Sequence, residues 1–348
     1  MNEEDRGAED RGRVFQLLFG AMAARTVGTA VELGIVDLIG EGEGERGADA
    51  LAADLGAPPG TTLRLLRALA ALGMLTETRE GVFAVTDTGA VLSERHPRSM
   101  ASLVRIFDES LLLRAWDRLG ESVRTGRPAF DAVHGTDFFS YLKDDDALSA
   151  RFNAAMSQSS RATADVLPAH YDFGRFSTVV DVGGGDATLL AAILRAHPGP
   201  RGVVYDTAEG LAQAWATLEA AGVAERASAV AGDFFASVPE GGDLYLLKSV
   251  LHDWDDDRCV TILRHVRAVL PPHGRLLIVE PVLPTLVDPD ATGGVPYLSD
   301  LNMLVNMGGR ERTQEDFAAL CEASGFGPPS YGQLPPPLIF STIETTPH

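Results

Sequence analysis

The sequence predicts an α/β fold: a doubly wound parallel sheet in the C-terminal half, preceded by a helical domain with a winged-helix-like pattern. Three observations carry this. After residues 169–175 short β-branched runs alternate with helix-length segments, the pattern of a parallel sheet covered on both faces. Residues 47–92 run short helix, turn, helix, then two β-like segments. The first strand of the C-terminal half runs straight into three glycines, Gly183-Gly184-Gly185. A chain of 348 residues, at about 150 per domain, holds two domains. They are expected at 1–168 and 169–348.

The elements follow in order. Residues 1–12 read as a frayed tail. Between Val14 and Leu38 apolar residues recur at helical spacing (Phe15, Leu18, Met22, Val27, Val31). A turn at Pro58-Pro59 separates two helices, and β-like runs at Leu75–Glu77 and Val82–Thr86 flank Arg79–Gly81. Residues 99–126 and 147–167 are two further helical stretches. Strands are then expected at Thr178–Val182, Gly202–Tyr205, Ala227–Ala231, Leu244–Leu247 and Arg275–Val279, with helices from Ala187, Ala208 and Asp256. Pro284–Pro296 is a loop long enough to act as a lid. The tail suggests a late antiparallel hairpin at the sheet edge.

Composition narrows the function. Hydrophobic residues make up 45% and charged residues 22%, as in ordinary globular proteins. Twenty-nine basic against 49 acidic residues give a net charge of −20, poorly suited to nucleic acid. The start, MNEEDRGAEDRGR, has no apolar core, so no signal peptide is expected. The most apolar stretch, around Leu65–Leu75, is too short to span a bilayer. A cytoplasmic protein with no membrane partner is the expectation. Cys259 and Cys321 form no CxxC, so neither a disulfide framework nor a structural metal is expected. Lysine occurs only at Lys143 and Lys248.

In a doubly wound sheet ligands sit outside the C-terminal strand ends. Four such ends here carry polar groups in order. The first is Asp181-Val182-Gly183-Gly184-Gly185, where glycines let a ligand approach the backbone. The dinucleotide pattern GxGxxG fails at Thr188, and a tight turn without a ligand is the plain alternative. The second strand ends at Asp206, where ribose hydroxyls would lie. The third runs into Gly232-Asp233-Phe234-Phe235, a carboxylate and ring faces suited to adenine. The fourth ends at Lys248.

At these residues the sequence resembles the S-adenosylmethionine-dependent O-methyltransferases of the plant caffeate type. It resembles still more their bacterial relatives that decorate polyketides and other aromatic natural products, the family 2 O-methyltransferases of antibiotic biosynthesis. DVGGG, YD, GDFF and LLKSVLHDWDDD stand in the family's order, and the resemblance covers nearly the whole chain. It implies a Rossmann-like methyltransferase domain and an N-terminal dimerisation domain, hence a homodimer that binds no DNA. S-adenosylmethionine would be held by Asp181, Gly183, Gly185, Asp206, Gly232, Asp233, Phe234, Phe235, Lys248 and Trp254. The acceptor would be a small aromatic molecule, and no metal is required. Ala187 stands where the family usually carries Gly.

The resemblance also implies the catalytic set. His252 follows the fourth strand, Glu280 ends the next strand, and Glu311 lies in the motif GGRERT. These match the family's base and the two acids that orient it. A carboxylate on one ring nitrogen fixes the tautomer and leaves the other nitrogen as base. A phenol titrates near about 10 and histidine near about 6.5, so free transfer is uphill by about 5 kcal/mol. The acids at Asp253, Asp255, Asp256 and Asp257 are expected to cap the next helix rather than hold a cation.

Phe152 and Met156 form an i, i+4 pair that core packing would explain equally well; the resemblance assigns them to the acceptor pocket. Asn302, Met303 and Asn306 match the family's substrate-contacting helix. Phe15, Phe19 and Met22 would sit in helices that cross between subunits. Trp116 fits pocket or core. The other seven histidines lack an acid partner in any recognisable motif.

Two other functions compete. Some relatives use the same fold and cofactor for hydroxylation, decarboxylation or pericyclic chemistry; these typically lack the His or its acids, and all three are present here. A winged-helix DNA-binding regulator would need a basic recognition helix, whereas Thr61–Leu72 offers only Arg64 and Arg67. The acceptor's identity, and oxygen against nitrogen as its nucleophile, stay open.

Overall fold

The structure, a computed structural model, describes residues 3–40, 44–287 and 294–348. The chain divides into two compact units, Met1–Ser110 and Leu111–His348. The boundary expected at residue 168 instead falls inside the helix Asp146–His170. That helix packs along the helix Thr188–Ala196 and buries Ala164 and Leu167 in one core with Phe173, Leu190 and Leu246. The switch from all-helical to alternating pattern marks a change of element type, not of core.

In the first unit, helices span Glu3–Leu18, Gly20–Glu32 and Ile35–Ile39. Helix therefore starts within the expected frayed tail. Strand β1 (Glu45–Gly47) leads into the helix Ala48–Leu55. Gly56 ends that helix in the left-handed region, and Pro59 opens the helix Pro59–Ala71. Strands β2 (Leu75–Arg79) and β3 (Val82–Val85) pair antiparallel, and β1 adds to β3. Ile35, Leu51, Leu66, Leu69 and Phe83 fill the core between them. Arg67, one of two arginines on the second helix of this pair, is held by Glu77 at 3.0 Å.

In the second unit, helices Ala129–His134 and Phe138–Lys143 precede Asp146–His170; both lie between the helical stretches expected at 99–126 and 147–167. The sheet then forms from β4 (Thr178–Val182), β5 (Arg201–Asp206), β6 (Ala227–Ala231), β7 (Leu244–Lys248), β8 (Arg275–Leu283), β9 (Arg312–Thr313), β10 (Ser330–Gln333) and β11 (Phe340–Thr345). The order is β10-β11-β8-β7-β4-β5-β6, with β9 beside β8. All neighbours are parallel except β11 with β8 and β10 with β11. The expected edge hairpin is thus present. Val179, Val180, Leu244, Leu246, Leu277 and Val279 are fully buried, which explains their near-continuous apolar runs. The order reverses between β4 and β7, the place where such sheets bind ligands.

Among the described residues no single helix is long and apolar enough to cross a membrane; Arg11–Leu18 and Gly20–Glu32 reach that length only across a 41° bend. Val14, Phe15, Leu17, Leu18, Phe19 and Met22 expose an apolar face, larger than a lone subunit usually leaves to water. Covering it with a second copy predicts a dimer. Phe15→Glu with Leu18→Glu should turn dimer into monomer by light scattering. A wild-type monomer at micromolar concentration would contradict the pairing.

Candidate active site

The switch-point edge is built from backbone first. Gly183 and Gly185 adopt φ of +73° and +54°, open to glycine at no steric cost. A Cβ on Gly184 would meet Val204 and the Asp181 carboxylate. Asp206 accepts from Gly185 N at 2.9 Å and Thr207 N at 2.6 Å, and its carbonyl accepts from Gly232 N at 2.9 Å. Asp233 accepts from Phe235 N at 2.8 Å. Asp181, Gly183, Gly185, Asp206, Gly232 and Asp233 therefore line three neighbouring strand ends. Ala187, despite its Cβ, adopts φ +64° at the start of the next helix, a conformation costing about 1–2 kcal/mol.

The charges on this edge are unusual. Asp181 is buried, and its Oδ2 has no hydrogen-bond partner. Burial and the nearby Asp206 push it up to about 7. Burial brings Lys248 down to about 8, against the pull of Glu280 and Asp181. Lys248 Nζ donates to Ser160 Oγ at 3.3 Å and lies 5.0 Å from the Phe340 ring centre. A buried carboxylate oxygen left unpaired costs free energy until a donor or cation meets it. These residues fit S-adenosylmethionine: carboxylates for its polar and positive parts, and backbone unshielded by Cβ atoms. Phe234 and Phe235 follow Asp233 and stand edge-on to Trp254 at 6.2 and 4.8 Å. Trp254 also stacks on Phe139 and faces Arg258, so it is as much a core residue as a lining one.

Beyond β7 the chain makes a tight helical turn, Leu251–Asp253, which carries His252. Glu280 lies inside β8 rather than at its end. Its Oε1 accepts from Val250 N at 2.9 Å and Leu251 N at 3.0 Å, and Oε2 lies 3.6 Å from His252 Nδ1. Glu311 Oε1 lies 3.2 Å from the same Nδ1 and accepts from Ser299 Oγ at 2.8 Å. The three predicted catalytic residues thus meet, with both acids on one ring nitrogen. Nε2 is left on the other side, 3.6 Å from Asp253 Oδ1. Burial alone would lower the imidazole; Glu280, Asp253 and Glu311 outweigh it and raise His252 to about 10. Burial raises Asp253 to about 7 against the favourable pull of His252. Ligand atoms of His252, Glu280 and Glu311 lie within 4.8 Å of one another, a spacing their hydrogen bonds already account for. Of the acid run, Asp255 caps the helix Asp256–Val269 through Arg258 N.

Sequence reasoning missed what holds this turn. Arg312 is fully buried. It donates to Leu251 O and Trp254 O, both at 2.8 Å, and to Asp256 Oδ1 at 2.8 and 3.1 Å. One guanidinium thereby spans both ends of the turn bearing His252. A Cβ on Gly309 would run into the His252 carbonyl, so the GGRERT loop lies directly against that turn.

On the acceptor side, Ser299, Asn302, Met303 and Asn306 lie on the helix Val295–Asn306. Met303 and Asn306 are buried and Asn302 half-buried. Trp116 Nε1 donates to Asn302 Oδ1 at 3.0 Å, and Asn306 Nδ2 donates to it at 2.9 Å. Phe152 packs edge-on to Phe138 and Phe139, and Met156 is half-buried. Residues 288–293 of the expected lid lie outside the described residues. His134, His170, His197 and His265 bond to backbone carbonyls.

This sheet order, with a glycine-rich switch point beside a carboxylate-held histidine, defines a Rossmann-like methyltransferase. Residues 116–327 match the O-methyltransferase domain and residues 15–95 the O-methyltransferase dimerisation domain. The chain belongs to this O-methyltransferase family and is an S-adenosylmethionine-dependent methyltransferase. It is 48% identical to the O-demethylpuromycin-O-methyltransferase of Streptomyces alboniger, over 98% of this chain and 90% of that one. The structure of mitomycin 7-O-methyltransferase superposes with a TM-score of 0.89 at 37% identity, covering 100% of both chains. An O-methyltransferase of neocarzinostatin biosynthesis, solved with S-adenosylmethionine and 2-hydroxy-5-methyl naphthoic acid, gives 0.76 at 32% identity, covering 93% of this chain and 96% of that one.

Removing the Arg312 side chain should be costly. Arg312→Leu strands two buried carbonyls and should destabilise by about 3–5 kcal/mol in urea titration. Asp256→Asn should lose less, because Asp256 is half-exposed. Equal, small losses would show that the clamp contributes little.

Proposed function

We propose that the chain methylates a hydroxyl of a small aromatic natural product, with His252 as the base and Glu280 and Glu311 orienting it. The observation that carries this is the pair of buried carboxylates on His252 Nδ1. The relatives support the acceptor class: one is named for the O-methylation of O-demethylpuromycin, and another was solved with 2-hydroxy-5-methyl naphthoic acid. S-adenosylmethionine, when bound, supplies an electrophilic methyl group on a sulfonium.

Asp181, Gly183, Gly185, Asp206, Gly232, Asp233, Phe234, Phe235 and Lys248 would hold the cofactor, with Trp254 backing the phenyl rings. Phe152, Met156, Asn302, Met303 and Asn306 would line the acceptor. Two copies would pair through the apolar N-terminal helices. Glu280 and Glu311 keep the Nδ1 proton in place and leave Nε2 for the acceptor hydroxyl. They also change the energetics. With the imidazolium at about 10, proton transfer from a phenol of pKa about 10 is nearly level instead of about 5 kcal/mol uphill. The resting ring is then protonated at neutral pH. The productive complex holds one proton fewer than free enzyme plus phenol, so acceptor binding must release a proton.

The cofactor assignment is tested by calorimetry with S-adenosylhomocysteine. Asp206→Ala should weaken binding by about 1–3 kcal/mol, a hydrogen bond to a charged group; unchanged affinity would sink the assignment. The base is tested by kinetics. His252→Ala should reduce turnover about 10²–10⁴-fold. For a phenol of pKa near 10, kcat/KM should climb about tenfold per pH unit between about pH 7 and 9, the signature of a missing proton. Glu311→Gln removes one of the carboxylates that raise the ring, so the profile should move to lower pH. A profile that stays fixed would mean Glu311 does not act through His252.

A further inference from the structure

Trp116 belongs to none of the motifs above, yet it fixes the chemistry of one wall. An indole N–H can only donate. Asn302 Oδ1 accepts from it at 3.0 Å and from Asn306 Nδ2 at 2.9 Å, which uses both lone pairs of that oxygen. A free carboxamide turns over easily and exchanges its oxygen for its NH2. Here the exchange would set an NH2 against two donors. Asn302 is therefore locked with its NH2 turned away from Trp116 and Asn306. The lock has a second effect. Asn306 has given its NH2 to Asn302, and its Oδ1 is left fully buried with no partner. A buried acceptor in that state costs free energy until a donor arrives.

The pair lies toward the base. Ser299, Asn302 and Asn306 are spaced i, i+3, i+7 along one helix and share a face. Ser299 Oγ bonds the same Glu311 oxygen that faces His252. The two amides follow at about 1.5 Å rise per residue along that face.

We propose that Trp116 is a positioning residue for acceptor recognition: by filling the Asn302 oxygen it makes the Asn302 NH2 a fixed donor and the Asn306 Oδ1 a fixed acceptor, a pair that reads a second hydroxyl next to the one that is methylated. The inference rests on the methyl-transfer function of this site. A hydroxyl satisfies both groups, an ether oxygen satisfies only the donor, and a methyl group satisfies neither.

Three acceptors that differ at one position test it: 2,3-dihydroxynaphthalene, 3-methoxy-2-naphthol and 3-methyl-2-naphthol. Binding to enzyme loaded with S-adenosylhomocysteine is read by calorimetry, and kcat/KM by product formation. Wild type should prefer the dihydroxy compound over the methyl compound by about tenfold or more, with the methoxy compound between them. In Trp116→Phe the preference should shrink to about twofold, while the methyl compound and the thermal midpoint change little. Asn302→Asp keeps one oxygen for Trp116 and Asn306 and puts a second oxygen where the NH2 was. It should retain the dihydroxy compound and reject the methoxy compound. An equal loss for all three acceptors in Trp116→Phe would reduce the indole to a packing role and overturn the proposal. A wild type that does not separate hydroxyl from methyl would overturn it too. The predicted ranking in binding, with no methylated product, would support the positioning role and count against methyl transfer.

Discussion

The buried guanidinium of Arg312 is the constraint on which the site depends. The turn that carries His252 is only three residues long, and its own backbone bonds, Asp253 N to Val250 O at 3.3 Å and Trp254 N to Leu251 O at 3.2 Å, are long. Glu280 takes two backbone N–H groups at its start, Val250 and Leu251. Arg312 takes the carbonyls of Leu251 and Trp254. Donors and acceptors of the turn are thus satisfied by two side chains from neighbouring parts of the sheet, one in β8 and one in β9. Glu280 is then already placed to face Nδ1. Glu280 thereby holds both the backbone of the turn and the ring it carries.

The cluster has a consistent electrostatic logic. Asp181, Asp253, Glu280 and Glu311 converge on one edge, with Lys248 and His252 as the cations among them. One oxygen each of Asp181, Glu280 and Glu311 has no hydrogen-bond partner. Such a region favours positive charge, and His252 responds by holding its proton tightly. A cationic cofactor is favoured for the same reason. The edge is thus poised for a ligand that carries positive charge, and its carboxylates raise the basicity of His252.

Much of this was legible in the sequence. Strand Thr178–Val182 stands where its β-branched run puts it, because a buried parallel strand leaves an unbroken apolar run; Ala227–Ala231 also stands where it was expected, but as a largely exposed edge strand. His252, Glu280 and Glu311 were legible as a set through the resemblance, and the structure brings them together. Other features were not legible. The boundary near 168 failed because Ala164 and Leu167 sit in the same core as the sheet, and periodicity does not say which core a helix joins. Residues 1–12 looked too charged to be ordered, yet helix begins at Glu3. Arg312 looked like one of 27 arginines; nothing in its neighbours shows that it is buried. Trp116 and Asn302 are 186 residues apart, and no local pattern joins them.

The proposed base role requires that the carboxylates on Nδ1 make His252 basic enough to accept a proton from a phenol. Titrating the His252 ring protons by NMR in the ligand-free protein tests it most directly, with the signal assigned by its loss in His252→Ala. The raised pKa predicts a single titration near about 10, with the ring protonated throughout the neutral range. A midpoint near about 6.5, the value of a free histidine, would contradict it.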